Sequence, residues 1–230
     1  MKILFKITTK SRRLGFLRAV DSILDNISNK KDFHLLITVE NEMHDNKMHP
    51  LPKLSCPHTY RVNPSSPTTK IDAINRDLND FTESCDWDIL CNVSDDQVFV
   101  VRAFDEIIRK YFMYEEVGNA LITSRSLDRF VHFPDGNRAD LATMSIVGRE
   151  YYNRDKYIYH PDYKSLWCDN EAQEVAQMRG CYVKSNTIIF NHLHPAFSKG
   201  AYDKQYQETE ALSGVDAQTY RKRKSDGFPN

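Results

Sequence analysis

Residues 86–97, Asp-Trp-Asp-Ile-Leu-Cys-Asn-Val-Ser-Asp-Asp-Gln, decide how the chain is read. An apolar run (Ile89, Leu90, Val93) ends in two adjacent carboxylates, Asp95 and Asp96. Neighbouring acids at the mouth of a buried strand repel each other and lose hydration, so they need a cation or donors. The carboxyl end of a strand is also where α/β sheets bind ligands. One use for the pair is a hard divalent ion, Mg²⁺ or Mn²⁺, held by one carboxylate and bridging to a substrate's phosphates. The other is a turn running into a helix N-terminus, where Asp satisfies orphan N–H groups. The stretch alone leaves both open.

Outward from it, strand and helix alternate. Residues 2–8 read as a first strand, and Leu17, Val20, Leu24 and Ile27 recur at helical spacing within 12–27. The near-continuous apolar run at 33–39 predicts a strand buried on both faces. A polar loop at about 41–57 and a weak strand at 59–62 follow. Ile71, Ile74, Leu78 and Phe81 mark a helix before the acidic strand; Val101, Phe104, Ile108 and Phe112 mark one after it, and 120–124 reads as a further strand. This order predicts a mostly parallel α/β sheet with helices on both faces and right-handed crossovers. From 129 to 164 the chain is aromatic and weakly periodic, with a turn at Phe133-Pro134-Asp135-Gly136. A helix at 169–178 stopped by Gly180, a strand at 187–192 and a polar, amphipathic end complete it.

Composition sets the frame. The 230 residues carry a net charge of −1, which excludes a global basic field for nucleic acid or an anionic membrane. The basic run Arg221-Lys222-Arg223-Lys224 is a local exception. No apolar stretch reaches membrane-spanning length, and the N-terminus lacks the features of a signal peptide. Five cysteines without Cys-x-x-Cys spacing favour reduced thiols and a cytoplasmic setting.

Ligand-capable groups stand at successive strand ends: Thr8, Thr9 and Arg12 after the first, Glu40 after the second, Lys70, Asn75 and Arg76 around the next helix, then Asp95-Asp96. Hydroxyls and cations at a strand-to-helix turn suit phosphate, and a carboxylate at the second strand end suits a base edge or ribose hydroxyl. This arrangement resembles the family 2-like glycosyltransferases of the GT-A fold. The resemblance rests on Thr8-Thr9…Arg12, Glu40 where Asp is commoner, Lys70-Ile71-Asp72-Ala73-Ile74-Asn75 and Ser94-Asp95-Asp96. It covers residues 2–112 well and the remainder loosely; Ser94 stands where many relatives begin an Asp-x-Asp triplet. It implies a GT-A-type, Rossmann-like single domain spanning 1–230. In it 1–112 binds a nucleoside-diphosphate sugar through Thr8, Thr9, Arg12, Glu40, Lys70, Asn75 and Asp95, and 113–230 carries the acceptor site and the base. Asp96 is the expected Mn²⁺ or Mg²⁺ ligand.

A transferase must also deprotonate the attacking hydroxyl. Trp167-Cys168-Asp169-Asn170-Glu171 resembles the family's base segment, with Asp169 the first candidate and Glu171 the second if Asp169 caps the following helix. His192 and His194, two apart on a strand, face one side and resemble the late histidine that completes the metal shell, His194 being preferred. Zn²⁺ with Cys168 or Cys181 is the lesser alternative. The resemblance and a base without a second nucleophile imply inversion. A sugar-phosphate nucleotidyltransferase would use a Gly-rich loop after the first strand, where this chain has only Gly15, and a non-catalytic nucleotide-sugar- or glycan-binding module would need no base. The acceptor reads as a glycan or small molecule. The basic tail and the aromatic span keep a hydroxymethylpyrimidine in DNA, as in phage, as the other choice. Oligomeric state is not legible.

Overall fold

The computed structural model describes residues 1–40, 51–63, 69–117 and 120–228. The first half runs β1 (Ile3–Thr9), α1 (Arg13–Asn26), β2 (Phe33–Glu40), β3 (His58–Asn63), α2 (Lys70–Ser84) and β4 (Ile89–Ser94). Then come β5 (Gln97–Phe99), α3 (Phe104–Met113), β6 (Tyr114–Val117), β7 (Ala120–Thr123), β8 (Phe130–His132) and β9 (Ile146–Gly148). The chain continues through α4 (Arg149–Asp155), α5 (Cys168–Met178), β10 (Tyr182–Lys184) and β11 (Phe190–His192). A 3₁₀ turn (Pro195–Phe197), α6 (Lys204–Ala211) and α7 (Ser213–Ser225) follow. Residues 41–50 of the expected polar loop lie outside the described residues.

Seven strands form one sheet in the order β10-β8-β9-β4-β1-β2-β3. β1 is parallel to β2 and β4, and β2 to β3, while β9 is antiparallel to β4 and β8. The α/β class expected from the sequence is the one observed. Strand alternation explains where the sheet is dry and where it is wet. Ile3, Phe5 and Ile7, with Phe33, Leu35, Ile37, Val39, Ile89, Cys91 and Val93, pack one wholly apolar face under α1 and α3. Phe99 stacks on Phe104 at 3.8 Å between ring centroids beneath it. The other face begins apolar at Leu4, Leu36 and Leu90. Toward the strand ends it turns polar, through Lys6 and Thr8, Thr38, Asn92 and Ser94.

Three expectations change. The strand near 120–124 pairs only with β6, as a separate hairpin. The strand at 187–192 shortens to β11 and pairs with β5. The weakly periodic span holds β8 and β9, with β10 beyond it; runs of three residues are too short to show a period of two. Tyr151, Tyr152, Tyr159 and Tyr163 from the same span are buried core residues, so its aromatic richness is a packing signal.

Lys6 is buried at the centre of the sheet, its Nζ donating to Thr38 Oγ1 and lying 3.7 Å from Asp77 Oδ2. Burial lowers its pKa to about 7 despite Asp77. The unfolded chain therefore holds this proton up to its ordinary value of 10.5, and the folded chain releases it from about 7 upward. Lys6 thus adds stability as pH rises between those values, by at most about 1.4 kcal/mol per pH unit. Urea midpoints of wild type and Lys6→Met at pH 7 and pH 9 test this: the difference between the proteins is expected to move in favour of wild type at pH 9.

Candidate active site

Asp95 and Asp96 form the two-residue turn between β4 and β5. They do not cap a helix: the next one, α3, starts at Phe104 behind Ala103 in the left-handed region. Gly15 makes the turn's position feasible, because a Cβ there would sit 2.8 Å from the Asp95 carbonyl oxygen. The hairpin also brings the C-terminal half to the acids: His192 faces Gln97 in the β5–β11 ladder, and Leu193 N donates to Asp96 O at 2.8 Å.

A cavity of about 700 Å³ opens on this turn. Thr8, Arg12, Lys70, Ser94, Asp95 and Asp96 line one side, and Arg138, Lys164, Trp167 and Asp169 line another. Residues expected at the donor site and a base candidate more than seventy residues after Asp96 therefore line one space. Thr8 Oγ1 is buried without a hydrogen-bond partner, as expected of a group waiting for a ligand. Thr9 donates to Asp95 Oδ2 at 3.2 Å. Arg12 reaches Asp95 Oδ1 at 3.5 Å and lies 3.9 Å above the Tyr206 ring, with Asp203 bound on its outer side at 2.7 Å. Lys70, the first residue of α2 behind the Thr69–Asp72 capping box, is exposed on the cavity wall. Glu40 ends β2, with its side chain outside the described residues.

Asn75 is a correction. Its amide donates to Tyr159 O (2.6 Å) and accepts from Ile158 N (3.0 Å), so it pins the 158–159 loop, whose Tyr159 lines the cavity while Asn75 does not. An amide bonded to main chain through both its oxygen and its nitrogen is committed to that loop, outside the cavity wall.

The acids are electrostatically divided. Burial, then the charge of Asp96, pushes Asp95 up to about 6 although Arg12 opposes it. Burial would raise Asp96 too, but the facing His192 and then Lys70 and the Tyr206 hydroxyl hold it well below the usual carboxylate range. His192 stands between two acids, with Nδ1 3.3 Å from Asp135 Oδ2 and Nε2 3.4 Å from Asp96 Oδ1. Burial works against its charge, yet these carboxylates raise its pKa to about 9. With both ring nitrogens facing carboxylates, His192 braces Asp96, and binding a metal through Nε2 would require it to lose a proton and turn from Asp96. Asp135, missed as a functional residue, is fully buried and also accepts Asn137 N, Arg138 N and Thr143 Oγ1. Its only sequence signal was the Phe-Pro-Asp-Gly turn.

Among the described residues no three His, Cys, Asp or Glu side chains converge as a ready-made metal cluster. Asp96 Oδ1 is buried and faces His192 Nε2 at 3.4 Å without a hydrogen bond of good geometry, which leaves it able to accept a cation. His194 lines the same cavity and is the imidazole of the pair without a carboxylate partner. Its Nδ1 accepts Ala196 N at 3.2 Å, so binding through Nε2 requires it to release that amide and change tautomer. One hard oxygen and one imidazole suit Mn²⁺ or Mg²⁺ and leave room for diphosphate oxygens. Cys168 and Cys181 do not complete a zinc set with them: Cys168 donates to Ser165 O, and Cys181 contacts Asp128.

The two base candidates separate. Asp169 lines the cavity and does not cap α5, whose N-cap is Trp167 at φ 63° with no side-chain cap bond. Burial raises its pKa, the direction a general base needs. Glu171 is turned away, held by Arg223 Nε and Nη2 (2.9 and 2.8 Å) and by the Tyr163 hydroxyl (2.7 Å). It is structural, a correction to its candidacy. Glu171→Ala strands a buried guanidinium and is expected to cost about 3–5 kcal/mol. That lowers Tm by roughly 10 °C in a thermal melt, which a mere catalytic acid would not do. Three of the four cations of the basic run are paired: Arg223 with Glu171, and, at the surface, Lys222 with Asp226 (2.7 Å) and Lys224 with Glu174 (2.7 Å).

No protein-family model matches the chain, and no curated protein matches it in sequence. Solved structures do share its fold. The mannosyltransferase PcManGT from Pyrobaculum calidifontis, in complex with GDP-Man and Mn²⁺, superposes with a TM-score of 0.62 at 10% identity, over 84% of this chain and 57% of that one. S. aureus TarS gives 0.55 at 12% identity, over 83% and 36%. TarS 1–349 with UDP-GlcNAc gives 0.54 at 11%, over 83% and 58%. The chain thus spans little more than half of these structures, or less. No helix among the described residues is long and apolar enough to cross a membrane.

Proposed function

We propose that the chain is a metal-dependent glycosyltransferase that moves a sugar from a nucleoside-diphosphate sugar to an acceptor hydroxyl with inversion. The observation that carries this reading is the one cavity shared by the donor-side groups, the Asp95-Asp96 turn and the half-buried Asp169. The fold likeness to structures holding GDP-Man with Mn²⁺ and UDP-GlcNAc supports it.

In this mechanism Thr8 offers its unpartnered hydroxyl to the nucleotide, and Lys70 and Arg12 place positive charge beside the diphosphate. Asp95, steadied by Thr9 and Arg12, faces the ribose. Asp96 and His194 would hold Mn²⁺ or Mg²⁺, which neutralises charge on the departing diphosphate. Asp169 takes the proton of the attacking hydroxyl on the opposite face of the sugar, and no second carboxylate is needed for a covalent intermediate. Residues 1–112 and 113–230 act as one unit, the first binding the donor and the second presenting base and acceptor. A glycan or small hydroxylated acceptor is favoured over DNA, because Arg223 of the basic run is bound to Glu171 and Tyr151, Tyr152 and Tyr163 of the aromatic span pack in the core.

The test is release of nucleoside diphosphate from a panel of GDP-, UDP-, dTDP- and ADP-sugars, with Mn²⁺ or with EDTA. One donor is expected to be hydrolysed with Mn²⁺ and not with EDTA, and added glycan primers should accelerate it. Pyrophosphate release from a nucleoside triphosphate and a sugar phosphate would instead establish a nucleotidyltransferase, and transfer confined to hydroxymethylated DNA would reverse the acceptor preference.

A further inference from the structure

Helix α7 breaks the usual rule for a packed helix. Its inward stripe is not apolar: Asp216, Tyr220 and Arg223, spaced i, i+4 and i+7, lie on one face. Asp216 and Arg223 are buried, an expense that apolar packing alone would never require. All three reach the segment that carries Asp169. Asp216 accepts three consecutive main-chain amides, from Lys164 (2.9 Å), Ser165 (2.8 Å) and Leu166 (2.7 Å). Tyr220 packs on Trp167 with ring centroids 5.3 Å apart. Arg223 grips Glu171. The contacts therefore advance in order along 164–171 as α7 advances from 216 to 223, and Asp169 lies inside the clamped span.

The clamped backbone also needs holding. Trp167 sits at φ 63°, a conformation that a bulky residue adopts at a cost and keeps only where surroundings over-determine it. Asp216 on one side and Tyr220 on the other supply that determination. The strained turn directs Cys168 and Asp169 into the first turn of α5, with Asp169 on the cavity wall.

We propose that α7 is a positioning element for the reaction: Asp216, Tyr220 and Arg223 hold the 164–171 segment so that Asp169 faces the acceptor hydroxyl. Asp216 is the central positioning residue. The clamp stands on geometry; its role in catalysis rests on the transferase reading above.

The experiment uses the full chain and Asp216→Asn, which keeps the size of the side chain and loses its charge. Hydrogen exchange read by mass spectrometry should show faster exchange in peptides covering 164–167, with β1, β2 and β4 unchanged. With the best donor, kcat for transfer is expected to fall about 10- to 100-fold, as for a misplaced catalytic group, while the donor KM stays within about twofold. A purely structural role would weaken donor binding and general protection together. Unchanged exchange at 164–167, or loosened exchange with unchanged kcat, overturns the proposal. If Asp216→Asn does not fold, Tyr220→Phe and Tyr220→Leu are read by the same two measurements: the first removes the hydroxyl's bonds to Glu174 and Lys224, and the second also removes the ring on Trp167. Wild-type protein inert toward every nucleotide sugar would refute the transferase reading, and the exchange result would still decide the clamp.

Discussion

Asp169→Asn is expected to slow sugar transfer by about 10²- to 10⁴-fold, the range for losing a positioned general base, with the donor KM nearly unchanged. Asparagine copies the shape of the carboxyl but cannot take the acceptor's proton. The variant should fold at least as well as the wild type. Asp169 accepts the Asn170 amide, and its burial already disfavours the charged form, so removing the charge relieves a penalty. The measurement pairs single-turnover transfer with a thermal melt. Slow transfer in a protein of unchanged Tm identifies the base. Full activity would remove Asp169 from the mechanism, and Glu171 could not replace it, because that carboxylate is committed to Arg223 and Tyr163.

The second large effect is at Asp96. Asp96→Ala should abolish the Mn²⁺-stimulated part of the rate, a loss of about 10³-fold or more given the several kcal/mol a metal contributes to charge stabilisation. Three features make this a clean test. The carboxylate lies in a tight turn and not in the core, so truncation leaves no apolar cavity. His192 keeps Asp135 as a partner, and Tyr206 keeps its packing on Arg12. Relief from the neighbouring charge favours ionised Asp95, so donor-side electrostatics survive. The rate is measured against Mn²⁺ concentration with wild type alongside. A variant still stimulated by metal would place the ion elsewhere.

Most of the sheet could be read from the chain because its strands are long and buried on both faces. Ile3–Thr9, Phe33–Glu40 and Ile89–Ser94 are apolar runs of six to eight residues that end in polar groups, and the helices between them carry apolar residues at helical spacing. Thr8, Arg12, Lys70 and the Asp95-Asp96 turn follow at once, since a parallel sheet puts all its strand ends on one edge. Asn75 was misread for an instructive reason: its place beside Lys70 in the chain says nothing about which way a helix turns its side chains. On α2, Asn75 faces the 158–159 loop and Lys70 the cavity.

The class of fold, and the strand ends at which Thr8, Arg12 and the Asp95-Asp96 pair gather, depend on period and on neighbours within one element, which a linear chain displays. How the later residues divide their work depends on contacts between distant segments. His192 becomes a prop because Asp135 and Asp96 arrive from two other segments, Glu171 becomes structural because Arg223 meets it from 52 residues away, and the polar end becomes a clamp because Asp216 closes on three amides. The same applies to Asp95 and Asp96: two adjacent carboxylates admit a cap or a cation site, and their place in the β4–β5 turn, well ahead of a helix that starts at Phe104, removes the cap. A carboxylate's role is set by its partners and its dielectric surroundings, and both are properties of the folded molecule.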